Sequence, residues 1–165
     1  MKRWITAILL VLMMEQASAQ ELKMRDVFKQ MPDSLLPYLT QNNRLDFIDF
    51  MDSNMKAEVQ NQLGGNSEMI ALADDSLSIR MNPSTETDML LLSPVEPVDS
   101  VSQVVVVIET FRIDSIYGES KVNYYTPTWQ LLKREPVLSE EQKQRIQKHC
   151  LQNLFKRDEE IINKR

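Results

Sequence analysis

The chain has 165 residues, 19 Lys and Arg against 24 Asp and Glu, and a single cysteine and a single histidine. That length suits one domain with one core, and one cysteine excludes an internal disulfide. An acidic balance with no basic block argues against nucleic acid and against anionic lipid, since both need clustered Lys and Arg.

The chain opens with Lys2 and Arg3, continues through the apolar run Trp4 to Met14, and reaches the small residues Ala17-Ser18-Ala19. This is the order of a cleaved secretory signal, with Gln20 as the first residue after a cut behind Ala19. About eleven apolar residues are too few to cross a hydrocarbon core that needs roughly twenty, and no later stretch is long and apolar enough to serve instead. Removing 19 residues leaves 165 − 19 = 146, with a net charge of 17 − 23 = −6. The expectation is an exported protein, periplasmic or secreted, with one domain over residues 20–165.

Met24, Val27, Phe28 and Met31 recur at helical spacing and stop at Pro32. After a bend through Pro37, a long helix is expected from Asn42-Asn43 as its cap to Leu63, ended by Gly64-Gly65. On that helix Leu45, Ile48, Met51, Met55, Val59 and Leu63 share one side and define its core face, with Phe47 and Phe50 off it. Asp52 falls inside this face, where a carboxylate must find an N–H or Arg partner or shift its pKa.

From Met69 the period changes to two. Leu77, Ile79 and Met81 alternate with Ser76, Ser78 and Arg80 after a turn at Asp74-Asp75. A second strand covers Thr85 to Leu92, and Val104 to Ile108, apolar on both faces, belongs in the middle of the sheet. Two further strands are expected at Lys121–Tyr125 and Trp129–Leu132. The phrase Asp-Ser-aliphatic recurs at Asp75, Asp99 and Asp114 as turn chemistry rather than a repeat. Ser139 and Gln142 form a capping box, and the stripe Ile146, Cys150, Leu151, Leu154, Phe155, Ile161 and Ile162 makes a final helix. The fold class is α+β: N-terminal helices, an antiparallel meander of five to six strands, and a C-terminal helix, with helices packed on one face of the sheet.

Much chemistry lacks its residues. One histidine cannot supply a zinc site with two or three imidazoles, and His149 lies on the polar side of its helix. Gly64, Gly65 and Gly118 make no phosphate loop, and Cys150 on the apolar arc is a packing residue with a poorly reactive thiol. No catalytic residue, metal or cofactor is assigned. Carboxylates are plentiful, so a carboxylate-based hydrolase acting on envelope or extracellular glycans remains the alternative. The favoured reading is a non-catalytic binding module for an envelope protein or peptide, a lipid or a glycan. Its candidate ligand-binding residues are Tyr117, Tyr125 and Trp129, large rings near one end of the sheet. Neighbouring Tyr124 and Tyr125 must point to opposite faces. Nothing in the pattern sets the oligomeric state.

The stretch Val27 to Leu77, with Met31-Pro32-Asp33-Ser34-Leu35-Leu36-Pro37 and Asn42-Asn43-Arg44-Leu45-Asp46-Phe47-Ile48-Asp49-Phe50-Met51-Asp52-Ser53, resembles a family of uncharacterised exported proteins from Bacteroidales-type bacteria. Asp114-Ser115 and the Tyr124 to Trp129 region add to the likeness. The resemblance implies a Gram-negative envelope and a single domain of unknown function, and carries no catalytic or binding residues with it.

Overall fold

A computed structural model describes residues 22–112 and 118–150. The expected signal segment with Ala19 and Gln20, Tyr117, the Asp114 phrase and the stripe beyond Cys150 lie outside the described residues. Helix α1 spans Met24–Lys29 and a 3-10 turn spans Asp33–Leu35; helix α2 spans Gln41–Asp52. Six strands follow: β1 Glu58–Gln60, β2 Asn66–Leu72, β3 Ser76–Asn82, β4 Thr85–Leu92, β5 Val104–Arg112 and β6 Gly118–Tyr125. A helix over 140–150, α3, closes the described chain. Every strand pairs antiparallel with the next in sequence, so the sheet is one meander in the order β1 to β6. The α+β class is as expected.

The two helical layers take opposite faces. Met24, Val27 and Phe28 of α1 and Phe47 and Ile48 of α2 pack on Ile79, Met81, Met89, Leu91, Val105 and Val107. Leu90, Leu92, Val104, Val106 and Ile108 point the other way, onto Val98, Leu132, Leu138 and Ile146 of α3. The expectation of helices on one face is corrected accordingly. Because β4 and β5 are covered on both sides, they carry near-continuous apolar runs instead of alternation. Val104 to Ile108 is an interior strand, paired to β4 and to β6.

The long helix expected to reach Leu63 stops at Asp52. Asn54 takes a left-handed φ of 52°, its N–H donates to Met51 O, and the Met55 N–H donates to Phe50 O. This pair of reversed bonds closes the helix with asparagine in the position glycine usually fills. Val59 is buried from β1, whereas Leu45, Met55 and Leu63 are exposed. The true inner face is Arg44, Phe47 and Ile48. The N-cap is Thr40, whose hydroxyl accepts from the Asn43 N–H while Asn43 Oδ1 accepts from the Thr40 N–H. Gly64, with φ 80°, serves the β1–β2 turn. There the buried Asn61 accepts N–H bonds from Leu63 and Gly65 and donates to Ser67 and to Met81 O.

Candidate functional site

The aromatic end of the sheet is organised inward. The stretch expected as a strand at Trp129–Leu132 is a turn: Trp129 sits at φ 65°, and only a single bridge joins Tyr125 to Leu131. Trp129 is buried, 7% exposed, and its Nε1–H donates to Val27 O at 2.8 Å. Its ring meets Tyr125 at a centroid distance of 5.8 Å, tilted by 53°. The expectation of Trp129 as an outward contact ring is corrected on this point, because the indole clamps the 126–132 turn onto α1. Tyr125 is half-buried against it on the N-terminal helix face, and Tyr124 is half-buried on the α3 face. Burial raises the pKa of both phenols. Phe111, opposite Glu119 at the other end of the β5–β6 ladder, remains 43% exposed.

The groups singled out for chemistry are held in structural pairs. Asp52 is exposed rather than in the core, and both its oxygens accept from the Arg25 guanidinium at 2.8 and 3.1 Å. This bond lowers its pKa. At the acidic turn Asp74 meets Lys23 at 3.2 Å, and Asp75 meets Arg145 of α3 at 2.8 Å. The Arg145 hydrogen bond holds Asp75 below the usual carboxylate range. Lys23, Asp74 and Asp75 border a cleft of about 240 Å³ whose wall also includes Leu91 and Gln103. His149 is not a free surface imidazole: its Nδ1 lies 3.6 Å from Oδ1 of the buried Asp88. Cys150 is half-buried against the α3-side core. Burial is the main cause that raises its pKa, which opposes thiolate formation. Among the described residues no group of three or more His, Cys, Asp or Glu could hold a metal, and no helix is long and apolar enough to cross a membrane.

Arg44 carried no signal in the sequence reading, yet it is 1% exposed. It donates to Leu39 O and Met31 O and pairs with Asp33 at 2.8 Å. Its spacing from Phe47 and Ile48 is the pattern that would have found it.

What the sheet leaves open is its edges. β1 is a three-residue edge. β6 has eight residues and pairs with β5 along its whole length. On its outer side the Leu132 N–H donates to Tyr124 O and the Thr126 N–H donates to Gln130 O. Tyr124 O therefore points away from β5. Strand backbone groups alternate in direction from one residue to the next, so the N–H and C=O of Val122 and Ser120 point outward as well. Among the described residues nothing pairs with them. Glu119, Lys121, Asn123 and Tyr125 put their side chains on the N-terminal helix face, while Ser120, Val122 and Tyr124 face α3. The Ser120 and Thr110 hydroxyls share a hydrogen bond of 2.8 Å, which ties that side of β6 to β5. A long open edge of this kind is a template for another strand.

Among the described residues the geometry is that of a single-sheet α+β domain with one short edge and one long edge left open. Residues 14–160 match the family described as protein of unknown function (DUF3256), and the chain belongs to that family. A solved domain of an uncharacterized protein from Porphyromonas gingivalis W83 is similar, with 22% identity and a TM-score of 0.53 over 68% of this chain and 57% of that chain. At that identity the likeness is one of fold, and this chain covers a little over half the length of that one. No curated protein matches.

Proposed function

We propose that the chain is an exported, non-catalytic interaction module of a Bacteroidales-type cell envelope, periplasmic or secreted, which takes its partner as an added strand along β6. The carrying observation is the row of outward N–H and C=O groups at Ser120 and Val122 on a strand otherwise fully built into the sheet. Main-chain bonding at such an edge supplies affinity for an extended protein segment, and the flanking side chains supply selectivity. Tyr125 at one end of β6 and Tyr117 just before the other remain the candidate contact rings. Trp129 supports that end from beneath. Export is supported by the charged, apolar and small-residue order of residues 2–19.

The test uses two prolines one residue apart. Val122→Pro removes an outward donor and leaves the β5 ladder intact, as edge prolines do, whereas Lys121→Pro removes an inward one. A photo-crosslinking residue at Asn123, in protein processed in its native envelope, should give a discrete adduct that Val122→Pro abolishes without unfolding the domain. An adduct unchanged by Val122→Pro overturns strand addition. Mass spectrometry of the same material should find the N-terminus at or within a few residues of Gln20, and intact Met1 in a membrane fraction overturns export.

A further inference from the structure

The pattern of charge on β6 selects its partner. We propose that the strand added to β6 is β6 of a second copy of this chain, antiparallel about a two-fold axis at Ser120; this rests on the reading of β6 as the interacting edge. Two-fold pairing places each residue opposite its mirror position. Outward-directed residues must lie opposite outward-directed residues for the ladder bonds to form, which restricts Gly118, Ser120 and Val122 to pairing among themselves. With Ser120 opposite Ser120, Gly118 lies opposite Val122, and Glu119 lies opposite Lys121 of the second copy, twice over by symmetry. These Glu–Lys pairs occupy the non-hydrogen-bonded positions, where opposed side chains come closest.

The neighbouring registers fail on charge. Moving the axis one residue toward Gly118 sets Glu119 against Glu119, and moving it one residue toward Val122 sets Lys121 against Lys121. Moving it further, to Val122 itself, brings Ser120 opposite Tyr124, whose carbonyl is already taken by the Leu132 N–H at 2.9 Å. The free length of the edge, from Gly118 to Asn123, accommodates the Ser120-centred ladder and stops where the 130–132 segment begins. Charge alternation also continues through the joint. Glu109 of β5 stands opposite Lys121, so the row across the new sheet reads Glu109, Lys121, then Glu119 of the second copy. Gly118, lacking a side chain, leaves room beside Val122 on the α3 side. An isologous contact that complements itself in both charge and hydrogen bonding is what a two-fold dimer requires.

Sedimentation of the mature chain across a concentration series, with circular dichroism as the check on folding, tests this. The native chain should reach the dimer mass. Val122→Pro and, separately, Ser120→Pro should sediment as folded monomers. Glu119→Lys, which faces Phe111 in its own sheet and leaves the fold alone, should shift the equilibrium at least tenfold toward monomer. Adding Lys121→Glu to it, with Glu109→Lys to keep the cross-strand pair within each sheet, should restore the dimer, because the swapped pair is again complementary. A native chain that stays monomeric, a dimer that survives both prolines, or a folded charge-swapped variant no better than the single one overturns the proposal. A monomeric native chain whose Asn123 adduct to another protein is still lost in Val122→Pro sinks self-pairing and leaves strand addition standing. Loss of neither mass nor adduct in Val122→Pro sinks both.

Discussion

Replacing Trp129 with alanine tests the clamp that joins the end of the sheet to the N-terminal helices. The side chain is almost wholly buried and ties two segments a hundred residues apart in sequence through Val27 O. Truncating a buried aromatic costs about 3–5 kcal/mol, of which the indole hydrogen bond supplies about 1 kcal/mol. Val27 O keeps a second donor, the Gln30 N–H at 3.2 Å, so no orphaned acceptor adds to the loss and the lower half of that range applies. For a domain of this size each kcal/mol moves Tm by about 2–4 °C, so the melting point should fall by on the order of 10 °C. The backbone offers an internal control. At φ 65° a residue with a Cβ costs about 1–2 kcal/mol relative to glycine, so Trp129→Gly should be no less stable than Trp129→Ala despite its greater freedom when unfolded. The assay is thermal unfolding followed by circular dichroism, with intrinsic fluorescence of the native chain beside it. In the chain cut behind Ala19, as proposed, Trp129 would be the single tryptophan, and its emission should be blue-shifted until the main transition. A Trp129→Ala variant melting within a degree or two of the parent, or native emission like that of the unfolded chain, refutes the clamp.

Arg44→Ala should cost about 2–5 kcal/mol in urea unfolding, because it leaves two buried carbonyls unpaired at about 1–3 kcal/mol each. Arg44→Lys should recover less than half, since one ammonium cannot reproduce the guanidinium fork, and an alanine variant within 1 kcal/mol of the parent counts against this role. Val106→Pro should prevent soluble expression, because the strand is paired on both sides and buried on both faces; a cooperatively folded variant would show the strand order to be wrong. Asp75 has a pKa lowered by Arg145, so its stabilising contribution is present above the unfolded value of about 3.9 and is lost as pH falls below that, through the folded value. Asp75→Asn should flatten the acid limb of the stability curve while costing no more than about 1 kcal/mol at pH 7, the range for a solvent-screened pair; an unchanged acid limb would mean the Arg145 contact does not form in solution.

Some elements were legible because local chemistry and tertiary packing agreed. The alternation of Leu77, Ile79 and Met81, the Val104 to Ile108 run and the Ser139–Gln142 box each became what their spacing predicts. The second helix was read too long because Met55, Val59 and Leu63 continue a helical period by coincidence. The stop at Asn54 is a single residue whose left-handed conformation depends on the chain turning into β1. The turn at Thr126-Pro127-Thr128 is where the sequence places it, but no strand begins at Trp129: the residue is still part of the turn, at φ 65° with its N–H bonded to Thr126 O, and its ring is directed inward.

What the sequence by itself determined is the class: an acidic chain without stapling cysteines, helices before and after an antiparallel meander, and one strand apolar enough to lie at its centre. Periodicity and turn residues carry that information because they act over a few neighbouring positions. Only the tertiary structure decided which face each helical layer covers, that Asp52 is paired at the surface and Arg44 in the core, and that β6 is left as a long open edge among the described residues. Those outcomes depend on which distant groups meet. An edge is defined by the strand that does not lie beside it, a relation that no local pattern of residues can encode.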